Sequence, residues 1–417
     1  MFKANLNDLP LKEEETGLKL WYKKFKSQPH QPFFSNGIIF FILFMFLLLL
    51  SYSNVIVLNN SLLDYHGYTM IYVVFIQFFL GFLFVVFPRF LMQAEIHSDI
   101  YMKHFLLYFV SSLGILISLF LSSNIFILFV VGLFFTHIFS FRLLLSIHKK
   151  SIVDAKNDTK WVLIFFAFGI FSNLLFIISL FDFQYAHIFK QIAINAGFYL
   201  FLFGIVFTIS QRMIPFFTSM KVQGYKVNKS KKLMEIVCTL LLLKVVILSF
   251  GDLRFNLISD IPLFVIFVKE LYRWKLPLFK TVAIMWVLFL SLYWIPFAFF
   301  ISIIESLNAI FETGFIFEKA VIHTISLGYF LTVLIGFGTR VVLGHSGQTP
   351  HADKFAIAIF IAIQIVAFLR IFASISTNFT LNFNLDYLFF INLSSILLIL
   401  GLLVWSSRYL KILLKGN

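Results

Sequence analysis

Apolar residues run along this chain in stretches of about twenty, the length that spans a bilayer core as a helix. The runs fall at approximately 37–58, 67–90, 104–121, 123–147, 160–181, 187–210, 232–250, 254–273, 278–303, 319–343, 354–376 and 386–408. They predict an all-α polytopic membrane bundle of about twelve transmembrane helices. The eighth run is the most interrupted, by Asp260, Pro262, Lys269 and Glu270. Ahead of the first run, Lys19, Lys23, Lys24 and Lys26 alternate with Leu18, Leu20, Trp21, Tyr22 and Phe25. That pattern predicts an amphipathic segment lying on the membrane surface. The expected organisation is a cytoplasmic amphipathic segment at 1–35, a twelve-span domain at 36–410 and a cytoplasmic tail at 411–417.

Composition narrows the class. The 417 residues are 60% hydrophobic and 12% charged, with 60 phenylalanines, a balance that excludes a soluble domain. The formal net charge is +14. In a soluble protein this would suggest nucleic acid, but here the cations sit in alternate loops. Arg142, Lys149, Lys150 and Lys156 share one; Arg212, Lys221, Lys226, Lys229 and Lys231 share the next of that set. The intervening loops, at Asn59–Tyr65, Ser122–Asn124, Asp182–Ala186, Gly251–Asn256, Ser306–Glu318 and Asn378–Asp386, are short and carry few cations. The positive-inside rule then places both termini in the cytoplasm and makes the lipid bilayer, not nucleic acid, the partner. The single cysteine, Cys238, excludes a disulfide, a CxxCH haem attachment and a Cys-ligated iron–sulfur cluster. The first apolar run is too long for a signal-peptide core, so no cleavable signal is expected.

Ionisable groups inside spans are costly and mark sites. In this topology His66, His187 and His323 begin the second, sixth and tenth spans at the outer side. His66, Met70, Val73, Gln77 and Gly81 share one face of an ideal helix, a wall for something flat or tightly packed. Two imidazoles from different helices at one depth are what a bis-histidine haem b requires. His66 and His323 are the candidates, and His187 is near enough in depth to bind a second metal. Arg370, toward the outer end of the eleventh span, is the candidate partner for haem propionates. Arg340 and His345 close the tenth span at the inner side. His137, in the middle of the fourth span, reads as structural. His97, His104, His148 and His351 lie in or beside inner loops and read as solvated.

Three stretches together resemble the NnrS family of membrane haem–copper proteins. His323–Gly347, HTISLGYFLTVLIGFGTRVVLGHSG, is similar to that family's HALTxGAxGTMxLAVMTRxxLGHTG, with His323, Gly328, Thr339, Arg340, Leu343, Gly344, His345 and Gly347 matching. Gln211–Thr218, QRMIPFFT, resembles the family's RVIPFFT through Arg212, Pro215 and Thr218. Tyr65–Met70, YHGYTM, resembles HAHEM through His66 and Met70, with Tyr68 and Thr69 where the family has His and Glu. The resemblance implies haem and copper binding, the bacterial cytoplasmic (inner) membrane, and a part in the response to nitric oxide, its expected ligand. It also groups Arg212, Thr218, Arg340 and His345 as a polar cluster at the inner face, where the arginines would cap helix C-termini. No reaction is assigned.

A fainter similarity to the haem–copper oxidase catalytic subunit lies in the His66–Gly67 and Met70 context and in a haem held between spans two and ten. That subunit's adjacent His-His and its His-x-His are absent here, so oxygen reduction is not expected. The competing reading is a cofactor-free transporter or channel, with Lys244, Asp260 and Arg370 lining the path.

Overall fold

The computed structural model describes residues 17–58, 62–278, 280–379 and 387–416. Residues 1–16 of the amphipathic segment, 59–61, Phe279, 380–386 and Asn417 lie outside the described residues. Among the described residues every regular element is helical.

A short helix, Leu18–Phe25, lies before the bundle. Leu18 and Trp21 stay exposed, while Phe25 is buried and the Trp21 indole donates to the Leu414 carbonyl at 2.8 Å. The long helices follow as α1 (His30–Tyr52), α2 (Tyr65–Phe90), α3 (Ser98–Ser118), α4 (Ser123–Lys150), α5 (Asn157–Ile178) and α6 (Ala186–Lys221). Next come α7 (Leu233–Ser249) and α8 (Leu257–Trp274). The last are α9 (Ala283–Phe311), α10 (Ala320–His345), α11 (Lys354–Asn378) and α12 (Tyr387–Lys415).

Ten of these are long and apolar enough to cross a membrane. The other two, α7 and α8, occupy the seventh and eighth apolar runs. They are shorter or more charged, with 17 and 18 residues respectively. The carboxylates that interrupt α8 are answered by neighbours. Lys244 of α7 donates to both Asp260 oxygens at 2.7 and 2.9 Å, and Ser302 of α9 donates to the same carboxylate at 2.5 Å. Glu270 accepts from the Trp274 indole at 3.1 Å. A carboxylate so bonded is tolerated where an unpaired one would not be.

Burial separates centre from rim. The apolar windows of α2, α6 and α10 are 94%, 83% and 83% buried, whereas those of α3, α4 and α11 are each 33% buried. The three central helices share a feature that hydropathy does not encode. Each contains a wide, π-helical stretch: Thr69–Phe75 in α2, Ala196–Phe203 in α6 and Thr324–Leu331 in α10. The stretches recur at nearly equal intervals, in every fourth long helix. They also meet in space: the Phe330 ring lies 5.7 Å from Phe75 and 5.5 Å from Phe198. Glycine permits the closest approaches. A Cβ on Gly197 would fall 2.2 Å from the Tyr72 hydroxyl, and one on Gly328 2.4 Å from the Trp294 ring.

The π stretch in α2 also revises the face expected to run from His66 to Gly81. Hydrogen bonding from i to i+5 turns the lower half away from the upper. Gln77 bonds Asn36 of α1 at 2.5 Å and Ser112 of α3 at 3.2 Å, and Gly81 packs on Phe33 and Phe34. That lower half is a tightly packed helix contact.

Candidate functional site

His66 stands at the head of α2, just before its π stretch, half-buried and with its Nδ1 buried and unpartnered. His323 stands in the corresponding place on α10, between the α-helical turn Ala320–His323 and the π stretch. Its Nδ1 lies 2.9 Å from the Lys319 carbonyl. For that contact to be a hydrogen bond Nδ1 carries the proton, which leaves the lone pair on Nε2. His66 and His323 lie within electrostatic reach of one another, and Arg370 of α11 lies within reach of both. Arg370 donates from Nη1 to Ser374 at 2.8 Å.

The third histidine is placed differently. His187, the second residue of α6, is exposed, and among the described residues no three His, Cys, Asp or Glu side chains gather as a metal site. Tyr68 and Thr69 use their hydroxyls elsewhere: Tyr68 donates to Asn173 at 3.2 Å and Thr69 to the His66 carbonyl at 3.4 Å. Lys244 and Asp260 bond each other between α7 and α8.

At the opposite end of the same three helices lies a cavity of about 1070 Å³. Arg212, Arg340 and His345 line it. Thr218 does not; its buried hydroxyl donates to the Ile214 carbonyl at 2.8 Å. The arginines do not cap helix ends. Arg212 donates to Asp158 at 2.6 Å and stacks 3.8 Å from the Phe90 ring. Arg340 stacks 4.0 Å from the Phe217 ring, and its Nη1 is buried without a partner. His345 faces His30 of α1, ring to ring at 4.5 Å; His30 is buried, with an unpartnered Nδ1. Lys229, on the loop after α6, donates to Gln211. Burial holds its ammonium below the usual lysine range, against the opposing pull of Asp158.

A sequence profile described as NnrS protein matches residues 24–416. The chain belongs to the NnrS family. No curated protein matches it. The NnrS match takes in both ends of the central helices, from His30 and His66 through to His345.

The hydropathy pattern missed one polar group in this NnrS protein. His137, whose Nδ1 meets Asn173 at 3.1 Å, has a buried Nε2 without a partner, and Tyr68, Tyr72, Ser172 and Asn173 form a buried network beside it. These residues come from α2, α4 and α5 at no telling spacing. His104 and His148, expected in solvent, are half-buried and sit 3.2 Å from Ser140 and 3.0 Å from Thr159.

Proposed function

We propose that this NnrS protein is a twelve-span haem b protein of the bacterial inner membrane that serves the response to nitric oxide. Both termini would lie in the cytoplasm, α7 and α8 would complete the twelve crossings, and the haem would sit between α2 and α10. One observation carries the reading: two imidazoles from distant parts of the chain stand at the same place on two touching central helices, each just before a π stretch, and the His66 Nδ1 is buried without a partner.

The residues present fit the group. His66 and His323 would hold the iron. The Lys319 carbonyl fixes the His323 ring and makes its Nε2 a stronger donor. Arg370 would balance the propionate charge. Bound haem supplies an iron able to bind nitric oxide and exchange one electron. The protein's own contribution is to hold the two rings in place, to set a fixed cation beside them and to surround them with packed apolar helices. Copper does not fit here, because Tyr68 and Thr69 supply no strong donors and His187 stands apart.

The test is haem and metal analysis of the purified protein, with reduced-minus-oxidised spectra taken with and without nitric oxide. A Soret band that shifts on adding nitric oxide is expected. Protein from haem-replete cells with no Soret band would end the proposal.

A further inference from the structure

The cavity at the basic end has no role in the haem reading. Its walls are formed where α2, α6 and α10 end, together with His30 and the loop after α6. Each of the three central helices delivers one arginine to it: Arg89, Arg212 and Arg340. Lys226 and Lys229 add two more cations from the loop, and among the described residues no aspartate or glutamate lines the space. Two of the arginines are answered in part, Arg89 by Glu95 at 2.8 Å and Arg212 by Asp158 at 2.6 Å. Arg340 has a buried Nη1 with no acceptor, and His30 a buried Nδ1 with none. Arg340 lines the cavity with no carboxylate paired to it among the described residues, so its guanidinium can make charge-assisted bonds to a bound anion.

The remaining lining is apolar, with Phe82, Phe90, Phe216 and Phe217 beside the cations. A small inorganic anion would leave most of about 1070 Å³ unfilled. A space of that size suits a ligand with a substantial body.

We propose that this cavity binds a phosphate-bearing ligand with an apolar body, its phosphate against Arg340 and its body along the phenylalanines. The phosphate could come from an anionic phospholipid or from a soluble phosphate ester, and the two sources are separable. The proposal does not rest on the haem reading.

The full chain, purified in neutral detergent, would be titrated by native mass spectrometry with phosphatidylglycerol, with phosphatidylcholine and with inorganic phosphate. Phosphatidylglycerol is expected to bind at about tenfold lower concentration than phosphatidylcholine, as one or two charge-assisted bonds imply. Arg340→Gln should abolish that preference, whereas Arg254→Gln, at the opposite end, should leave it intact. Displacement of the lipid by inorganic phosphate locates the recognition in the phosphate. Saturable, Arg340-dependent phosphate binding without a lipid preference assigns the site to a soluble ester. Should Arg340→Gln fail to fold, Lys226→Gln tests the same rim. Equal affinity for all three probes, or a preference that survives both substitutions, overturns the proposal.

Discussion

The ring of Phe330 on α10 meets that of Phe75 on α2 edge-on, at 5.7 Å. Both residues lie in π-helical stretches, and Phe198, in the third such stretch, touches Phe330 from α6. Wide turns are rare because their hydrogen bonding is weaker than that of an α-helix, and they persist chiefly at functional sites. Here three of them meet at the centre of the bundle. The histidine pair lies toward one end of these helices and the cationic cavity toward the other.

Adding one residue to regular helix should therefore uncouple the two ends. An alanine inserted between Thr332 and Val333, beyond the wide turn of α10, would rotate His323 by about 100° relative to Arg340. Such a chain is expected to insert in membranes yet lose its haem absorbance. Unchanged haem content and thermal midpoint would show that the register of α10 does not set the histidine pair.

Substitutions at the histidines should sort by position. His66→Ala and His323→Ala are each expected to lower the haem retained after purification by at least about tenfold, a range in which even supporting residues of a metal site act. His187→Ala, on an exposed ring, should leave it unchanged. Full retention in the first two variants would remove the ligand assignment.

The Lys244–Asp260 pair is buried, its side chains 1% and 0% exposed. Removing one partner strands the other charge in an apolar surround, which costs about 3–5 kcal/mol. Asp260→Asn and Lys244→Met should each lower the thermal midpoint sharply in detergent. The double variant should fall less than the sum of the two, and strict additivity would mean that the pair does not interact.

Asp353 caps α11 by accepting from the Ala356 amide at 3.0 Å, and it pairs with Arg408 of α12 at 2.6 Å. The Arg408 guanidinium, with help from that amide, holds its carboxyl below the usual carboxylate range. Because the folded pKa is depressed, the contribution is present at neutral pH. It is lost as the pH falls through that lowered value. The pair is half-exposed, so its charge is screened and contributes at most about 1 kcal/mol. Asp353→Asn, which keeps the cap, should cost a few tenths of that, and Asp353→Ala about 1 kcal/mol. Thermal melts across an acid series should show the wild type and Asp353→Asn converging at low pH. A constant gap would mean that this carboxylate does not titrate with folding.

Hydropathy located the helices because lipid-facing and core-facing positions are alike apolar. It erred where polar side chains are satisfied inside. The first membrane helix begins at His30, well before the apolar run, because Gln31 accepts from Ser27 at 2.8 Å and Asn36 is bonded to Gln77. At the other end α12 stays helical to Lys415, so most of the expected tail is helix. Depth along the apolar runs put His66 and His323 at one end of their spans, and both stand just before a π stretch, a feature depth does not encode. The cavity was only partly legible. Motif matches picked out Arg212, Arg340 and His345, but His30 lay in a segment read as surface, and Arg89 falls in none of the matched motifs. The wide turns left no trace, because a change of hydrogen-bond partner within a helix alters no residue's polarity.

The contact between His30 and His345 has a consequence for biogenesis. The first membrane helix meets its ring partner only after more than three hundred further residues have been synthesised, and Trp21 waits longer still for the Leu414 carbonyl. Until α10 emerges from the ribosome, the basic pocket lacks a wall and the early helices hold a cation-rich cleft open. A chain arrested after α9 would thus sit in the membrane with that cleft uncovered, a state that quality-control proteases could recognise and the finished protein does not present.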